Sequence, residues 1–251
     1  MTRDGIAPSR FNALGRRELA PYGVELRRIR VHRVEPHKAG FRVSFGNGRR
    51  IGARFLLLAT GVVDELPTVP GIEDCYGRSV FHCPYCDGWE WKDRKLAVLG
   101  GGISGVKLAL SLRTWSRDVV LCTNGRSVPM NGRSQLARNA IDIRTERIER
   151  LRHTRGRLRA VAFRNASTLV RDAMFFTTGQ HSRSNLARRL GCAFTARGTV
   201  NTGVLCNTNI PGVFVAGDAS RDVQFVVVAA AEGAKAALAI NQALQREELA
   251  P

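Results

Sequence analysis

Lysine is scarce in this chain, acidic residues are outnumbered, and no apolar run is long. Of the 39 basic residues only five are lysine (Lys38, Lys92, Lys95, Lys107, Lys235). The remaining 34 are arginine, set against 21 acids, for a formal charge of +18 over 251 residues. The arginines are spread along the chain and form no basic tail. Aromatic residues make up 7% and do not interleave with them, as a stacking platform for single strands requires. The pattern speaks for an arginine-favouring composition and against nucleic acid as a partner. It leaves the charge available to anionic ligands such as dinucleotide phosphates. The run Phe55-Leu56-Leu57-Leu58-Ala59-Thr60-Gly61 is strand-sized, well short of the roughly 18–20 residues a membrane helix needs. Met1-Thr2-Arg3-Asp4-Gly5 carries no signal-peptide core. A cytoplasmic protein without a membrane partner is the expectation.

Metal-ligand spacing is also lacking. Six cysteines stand at 75, 83, 86, 122, 192 and 206, and only 83 and 86 are spaced for chemistry. A zinc site needs a second such pair or two histidines at ligand spacing, and His82, His153 and His181 stand singly. No metal is expected. Half a metal site or two buried thiols remain the bland alternatives for the pair. Against them, two cysteines three apart can bridge across one helical turn, and a helix N-terminus lowers a thiolate's pKa. Pro84 suits the start of such a helix. Asp87, next to Cys86, is placed to carry a proton as a thiolate forms or leaves.

Along the chain, Ile6 to Leu26 predicts a helix around Phe11, Leu14 and Leu19. From Val24 to Ala53 the pattern is short and alternating, as at Phe41-Arg42-Val43-Ser44-Phe45 with Gly46-Asn47-Gly48 as a turn, and predicts a strand followed by a hairpin. Arg54 to Ala59 reads as a buried strand ending at Thr60-Gly61, followed by a Pro-rich crossover at 66–71. Lys95 to Leu99 is a short strand running into Gly100-Gly101-Gly102-Ile103-Ser104-Gly105, then a helix, then a strand at Asp118–Cys122. That order is the βαβ context of a dinucleotide fingerprint: Gly100 for the tight turn, Gly102 for approach to pyrophosphate, Gly105 for close helix packing. The second strand ends Cys122-Thr123-Asn124-Gly125-Arg126 with no acid for a ribose hydroxyl. Arg126 could meet a 2′-phosphate, which favours NADP over NAD. Further strands are expected at Ile141–Arg144, Leu158–Arg164 and Ala173–Thr177, the last closing on Thr178-Gly179. A strand at Val213–Ala216 ends in Gly217-Asp218, and an alanine-rich helix follows over Val226–Leu244.

Together these motifs, in this order, resemble the low-molecular-weight thioredoxin reductases and their relatives. Ala59-Thr60-Gly61 is similar to the family's strand end leaving the FAD domain, and Cys83-Pro84-Tyr85-Cys86-Asp87-Gly88 to its redox motif. Gly100 to Gly105 resembles the NADPH loop, with Thr178-Gly179 as a second Thr-Gly strand end. Pro211-Gly212-Val213-Phe214-Val215-Ala216-Gly217-Asp218 resembles the C-terminal FAD motif, whose aspartate binds the ribityl chain. The resemblance implies an α/β fold of two interleaved, three-layer Rossmann-like domains. One, at 1–73 and 197–251, would bind FAD; the other, at 74–196, would bind NADPH and carry the disulfide. It implies electron flow from NADPH through FAD to Cys83–Cys86, with Cys86 facing the flavin and Cys83 attacking the substrate. A thioredoxin-like protein or a small disulfide or dithiol would be the partner, and a homodimer the assembly.

Three departures from the family stand out. The strand and glycine loop that hold the ADP half of FAD are not seen before the first motif, so the FAD domain is expected to be N-terminally truncated by roughly 30 residues or more. The paired basic residues after the second nucleotide-binding strand are missing, and Lys107 stands where an acid is usual. The Pro84-Tyr85 filling and Gly88-Trp89-Glu90 are closer to a branch that includes flavin-dependent dithiol oxidases, which pass electrons to oxygen. A dithiol oxidase and an inactive remnant are therefore the alternative readings.

Overall fold

A computed structural model describes residues 3–220 and 223–249, so Met1 and Thr2 of the N-terminal reading lie outside the described residues. The chain divides into two compact units, 1–56 and 57–251.

In the first unit, α1 (Pro8–Glu18) starts on a proline and ends with Arg16 and Arg17, which suit the negative end of a helix dipole. It buries none of its residues and stops sooner than expected, because a turn at Ala20–Tyr22 closes on left-handed Gly23. Strands β1 (Val31–His37), β2 (Gly40–Phe45) and β3 (Arg50–Ala53) form an antiparallel sheet in that order. Phe41, Val43 and Phe45 alternate into its buried face, joined by Val34. Strand β1 lies within the 24–53 stretch read as a strand followed by a hairpin, and its Pro36 is tolerated because β1 is an edge strand.

The second unit opens within β4 (Leu56–Leu58). The expected buried strand here is corrected: among its three residues only Leu58 is buried, and Leu57 is 39% exposed. The physical reason is that β4 pairs with a single strand and sits inside no larger sheet. Then follow β5 (Val62–Asp64), α2 (Ile72–Cys75), β6 (Val80–Phe81), α3 (Pro84–Asp87), β7 (Leu96–Leu99), α4 (Gly102–Ser111), β8 (Val119–Cys122), α5 (Met130–Arg138) and β9 (Asp142–Arg144). A three-stranded antiparallel meander, β10 (Ile148–Thr154), β11 (Arg157–Phe163) and β12 (Ala166–Val170), precedes β13 (Ala173–Phe176). The chain ends with β14 (Gln180–Ser182), α6 (Leu186–Arg189), β15 (Val213–Val215) and the long α7 (Val226–Leu249).

A parallel five-stranded sheet, in the order β6-β13-β7-β8-β9, is the centre of this unit. All four residues of β7, of β8 and of β13 are buried, which is what a sheet covered on both faces demands. Leu96, Val98, Leu121 and Phe175 point to one side, with Val106, Ala109 and Leu112 of and beside α4 and with Leu136 of α5. Ala97, Leu99, Val120 and Phe176 point to the other, onto Leu151, Leu158, Val161 and Phe163 of the meander. The result is a three-layer Rossmann-like α/β unit. Burying each large apolar side chain contributes about 1.5–3 kcal/mol. Strand order reverses between β7 and β13, and their carboxyl ends form the crevice where such sheets bind ligands. No described helix is long and apolar enough to cross a membrane.

Candidate active site

A proline-entered helical turn carries the cysteines. Cys83 occupies the N-cap of α3, where its Sγ accepts the backbone N–H of Cys86 at 3.2 Å, and Pro84 fills the first helical position. Cys83 and Cys86 are joined in a disulfide. Gly88, just after the helix, must be small: a Cβ there would collide with the Trp115 indole and the Pro84 carbonyl. Trp115 in turn meets Trp89 edge-on, with centroids 6.4 Å apart, and the Lys92 ammonium lies 5.3 Å from the Trp89 ring centre. Aromatic packing thus fixes the turn that holds the disulfide. Burial, and secondarily the charge of Glu90, push the Asp87 carboxyl up to about 6, so it exchanges its proton close to neutrality.

A cavity of about 580 Å³ opens beside the disulfide, lined by His82, Cys83, Pro84, Tyr85 and the segment Val223, Gln224, Phe225. Cys83 lines it and is half-buried, whereas Cys86 is exposed. A polar network reaches the cavity through His82. Gln180 Nε2 donates to Asp64 Oδ1 at 2.5 Å and lies 3.2 Å from His82 Nε2, which therefore accepts. His82 Nδ1, carrying the ring proton in that tautomer, faces Asp64 Oδ1 at 3.7 Å. The Tyr76 hydroxyl donates to the other oxygen of Asp64, and Gln224 Nε2 donates to Gln180 Oε1 at 2.8 Å. Of these five residues only His82 carried a signal in sequence, its place beside Cys83. Asp64, Tyr76, Gln180 and Gln224 come from separate elements and carried none.

Outside the disulfide turn, the sequence motifs gather into two groups in space. Gly100, Gly102, Ser104 and Gly105 form the turn from β7 into α4. A Cβ on Gly105 would sit 2.8 Å from the Gly100 carbonyl carbon, and one on Gly100 would sit 2.5 Å from Thr177 Oγ1 at the end of β13. Gly102 has φ +58°, and nothing stands within 4 Å of where its Cβ would be, so this backbone is open to a ligand at the α4 N-terminus. Ser104 is exposed on the same first turn, and the Arg126 side-chain stem packs over Gly101. A second group is at β4 and β15. Leu58 O accepts from Ala216 N at 3.2 Å, so Ala59-Thr60-Gly61 and Gly217-Asp218 flank one hydrogen-bonded step. Gly217 N donates to the buried Glu232 of α7 at 2.7 Å, and Ser220 Oγ donates to the same carboxylate oxygen at 3.2 Å. Burial raises the Asp218 pKa, with Glu232 and Asp64 adding to the effect and His82 opposing it. Asp218 therefore shares its surroundings with the network behind the disulfide. Gly179 joins neither group: its carbonyl accepts from Glu65 N at 2.9 Å where β13 passes into β14.

The profile described as pyridine nucleotide-disulphide oxidoreductase matches residues 19–233. The chain belongs to that family. It is 26% identical to a probable thioredoxin reductase of Arthroderma benhamiae over 88% of its own length and 63% of that protein's. The chain therefore spans less than two thirds of that curated relative. Among solved structures it is similar to HlmI, with 35% identity, TM-score 0.94 and coverage of all of this chain and 80% of the other. It is also similar to the putative thioredoxin reductase TrxB of Bacillus anthracis, with 30% identity, TM-score 0.93 and coverage of 99% and 85%. FAD and NADPH are the cofactors of the thioredoxin reductase type.

The residues fit NADPH at the glycine loop, where open backbone at Gly102 meets the N-terminus of a ten-residue helix. For FAD the residues at hand are Thr60 and Gly61 after β4 and Gly217 and Asp218 after β15, brought together by the Leu58 O–Ala216 N hydrogen bond.

Proposed function

We propose that this chain is the disulfide-bearing part of a thioredoxin reductase-like flavoprotein, taking electrons from NADPH by way of FAD to Cys83–Cys86 and on to a partner disulfide. The observation that carries the reading is the Cys83–Cys86 disulfide on the α3 cap, beside an open cavity and next to an acid poised near neutrality. FAD, when bound, supplies the two-electron exchange. The chain's own residues do the rest. Cys83 lines the cavity and supports the role of attacking cysteine: its thiolate meets a substrate sulfur, a mixed disulfide forms, and the substrate's other sulfur leaves as thiolate. Cys86 then attacks Cys83, releasing the second substrate thiolate and restoring the disulfide. Asp87 gives or takes the accompanying proton. Ala59, Thr60, Gly61, Gly217 and Asp218 are assigned to FAD. Gly100, Gly102, Ser104, Gly105, Arg126 and, behind the β13 end, Gly179 are assigned to the NADPH side. The division into an FAD part (1–73 and 197–251) and an NADPH part (74–196), a cytoplasmic location, a homodimer and a thioredoxin-like or small disulfide partner belong to the same proposal.

A second reading runs the centre in reverse, oxidising a dithiol with oxygen as acceptor. The lining of the cavity supports it, since Pro84, Tyr85, Val223 and Phe225 offer a small dithiol an apolar seat next to Cys83. A spectrum of the purified protein with added FAD separates the two. Bleaching of bound flavin by NADPH supports the reductase; bleaching by a dithiol alone supports the oxidase. A folded protein that takes up no FAD overturns both.

A further inference from the structure

We infer that Arg147, from the turn between β9 and β10, joins Arg126 in a two-arginine clamp for the 2′-phosphate of NADPH; this rests on the NADPH reading of the glycine loop. The turn after β8 offers a single basic residue, Arg126. The structure supplies a second from elsewhere in the chain. Gly125 has φ +81°, and a Cβ on it would lie 2.7 Å from Arg147 Nε and 3.0 Å from its Cζ. The Arg147 guanidinium therefore lies across the backbone of the residue next to Arg126, in space that only a glycine leaves free. Arg126 covers Gly101 at the start of the pyrophosphate loop. Both are thus gathered at the carboxyl end of the second strand, where the ribose of a dinucleotide is read.

Backbone hydrogen bonds keep the arrangement in place. Gly102 N donates to Ser127 O at 2.8 Å, Gly125 N to Thr145 O at 2.9 Å and Arg164 N to Arg147 O at 2.8 Å. Asn124 Oδ1 accepts from Ile148 N at 2.8 Å, tying the two turns together. The charges nearby do not cancel. Glu146 is engaged by Arg144 at 2.8 Å, and Arg144 also lies over the Phe163 ring. Among the described residues neither Arg126 nor Arg147 has a carboxylate partner, and both are exposed. Two guanidinium groups held on neighbouring backbone without an acid are suited to a doubly charged phosphate monoester. A ribose hydroxyl would give them much less.

Isothermal titration of the full chain with adenosine 2′,5′-bisphosphate and with AMP tests this without any flavin. Wild type should prefer the bisphosphate, and Arg147→Ala should weaken its binding by about ten- to a hundredfold, the range expected for a lost charge-assisted contact, while AMP binding is unchanged. Arg147→Lys should recover part of the loss. Full preference retained in Arg147→Ala overturns the clamp and leaves the NADPH reading standing. Wild type that binds neither nucleotide overturns both.

Discussion

The nucleotide loop and the disulfide turn are both tight, glycine-dependent pieces of backbone, yet they are built from different kinds of information. The loop is local: β7, Gly100 to Gly105 and α4 follow one another, and its close contacts are Gly100 with Gly105 and with Thr177 on the neighbouring strand. The disulfide turn is local only in its cysteines. Its supports are Trp115, Asp64, Gln180 and Gln224, which come from far along the chain. A binding loop can be prefabricated in sequence, whereas a redox centre with a proton supply is assembled by the fold.

The comparison breaks most sharply at the sulfur. Cys86→Ser should abolish NADPH-dependent disulfide reduction while leaving nucleotide binding to the loop untouched; residual turnover by this variant refutes the assigned centre. Next come the glycines. Gly105→Val forces a side chain against the Gly100 backbone and should cost about 1–3 kcal/mol or more in a urea titration, together with nucleotide affinity. Gly88→Ala displaces the Trp115 ring and should lower turnover with nucleotide affinity intact, which a matched pair of titrations would check.

Asp87→Asn should slow turnover by about a hundredfold, the scale of a lost general acid–base group. If the carboxyl donates its proton, the wild-type rate falls as pH rises through about 6, and the variant lacks that limb. The sign for stability is the same. The folded state holds this proton more tightly than the unfolded chain, so the melting temperature should decline as pH rises from the ordinary carboxyl range to about 6, less so in the variant. Smallest is Asp64→Asn. It keeps an acceptor for Tyr76 but removes the charge facing His82, and should reduce turnover roughly three- to tenfold. An unchanged rate and pH profile would reduce the network to a structural brace.

Much of the second unit was legible in sequence because fully buried parallel strands read as unbroken apolar runs, as at Leu96–Leu99 and Val119–Cys122. Of the meander only β11 was visible. Ile148-Glu149-Arg150-Leu151-Arg152 buries Ile148 and Leu151, three apart, because the β10–β11 register shifts between Ile148 and Arg150, so the alternation of a strand is lost. Tyr76, Asp64, Gln180 and Arg147 were illegible for another reason. Each is an ordinary residue for its position, and its meaning lies in a neighbour that pairing across the fold provides. Even the roles of the two cysteines gain from structure, since spacing alone does not say that Cys83 lines the cavity.

The carboxylate of Glu232 sets the phase of a whole helix. Buried against Gly217 N–H and the Ser220 hydroxyl, it bolts α7 to the turn that carries Asp218. Twenty-four residues of helix extend about 36 Å, and this bolt lies in their second turn, about two turns from the segment that lines the disulfide cavity. A rotation of α7 by a single residue, about 100°, would swing that carboxylate away from both donors. The helix is thereby indexed, like a shaft keyed to its gear, and Gln224 and Phe225 meet the cavity at one angular setting.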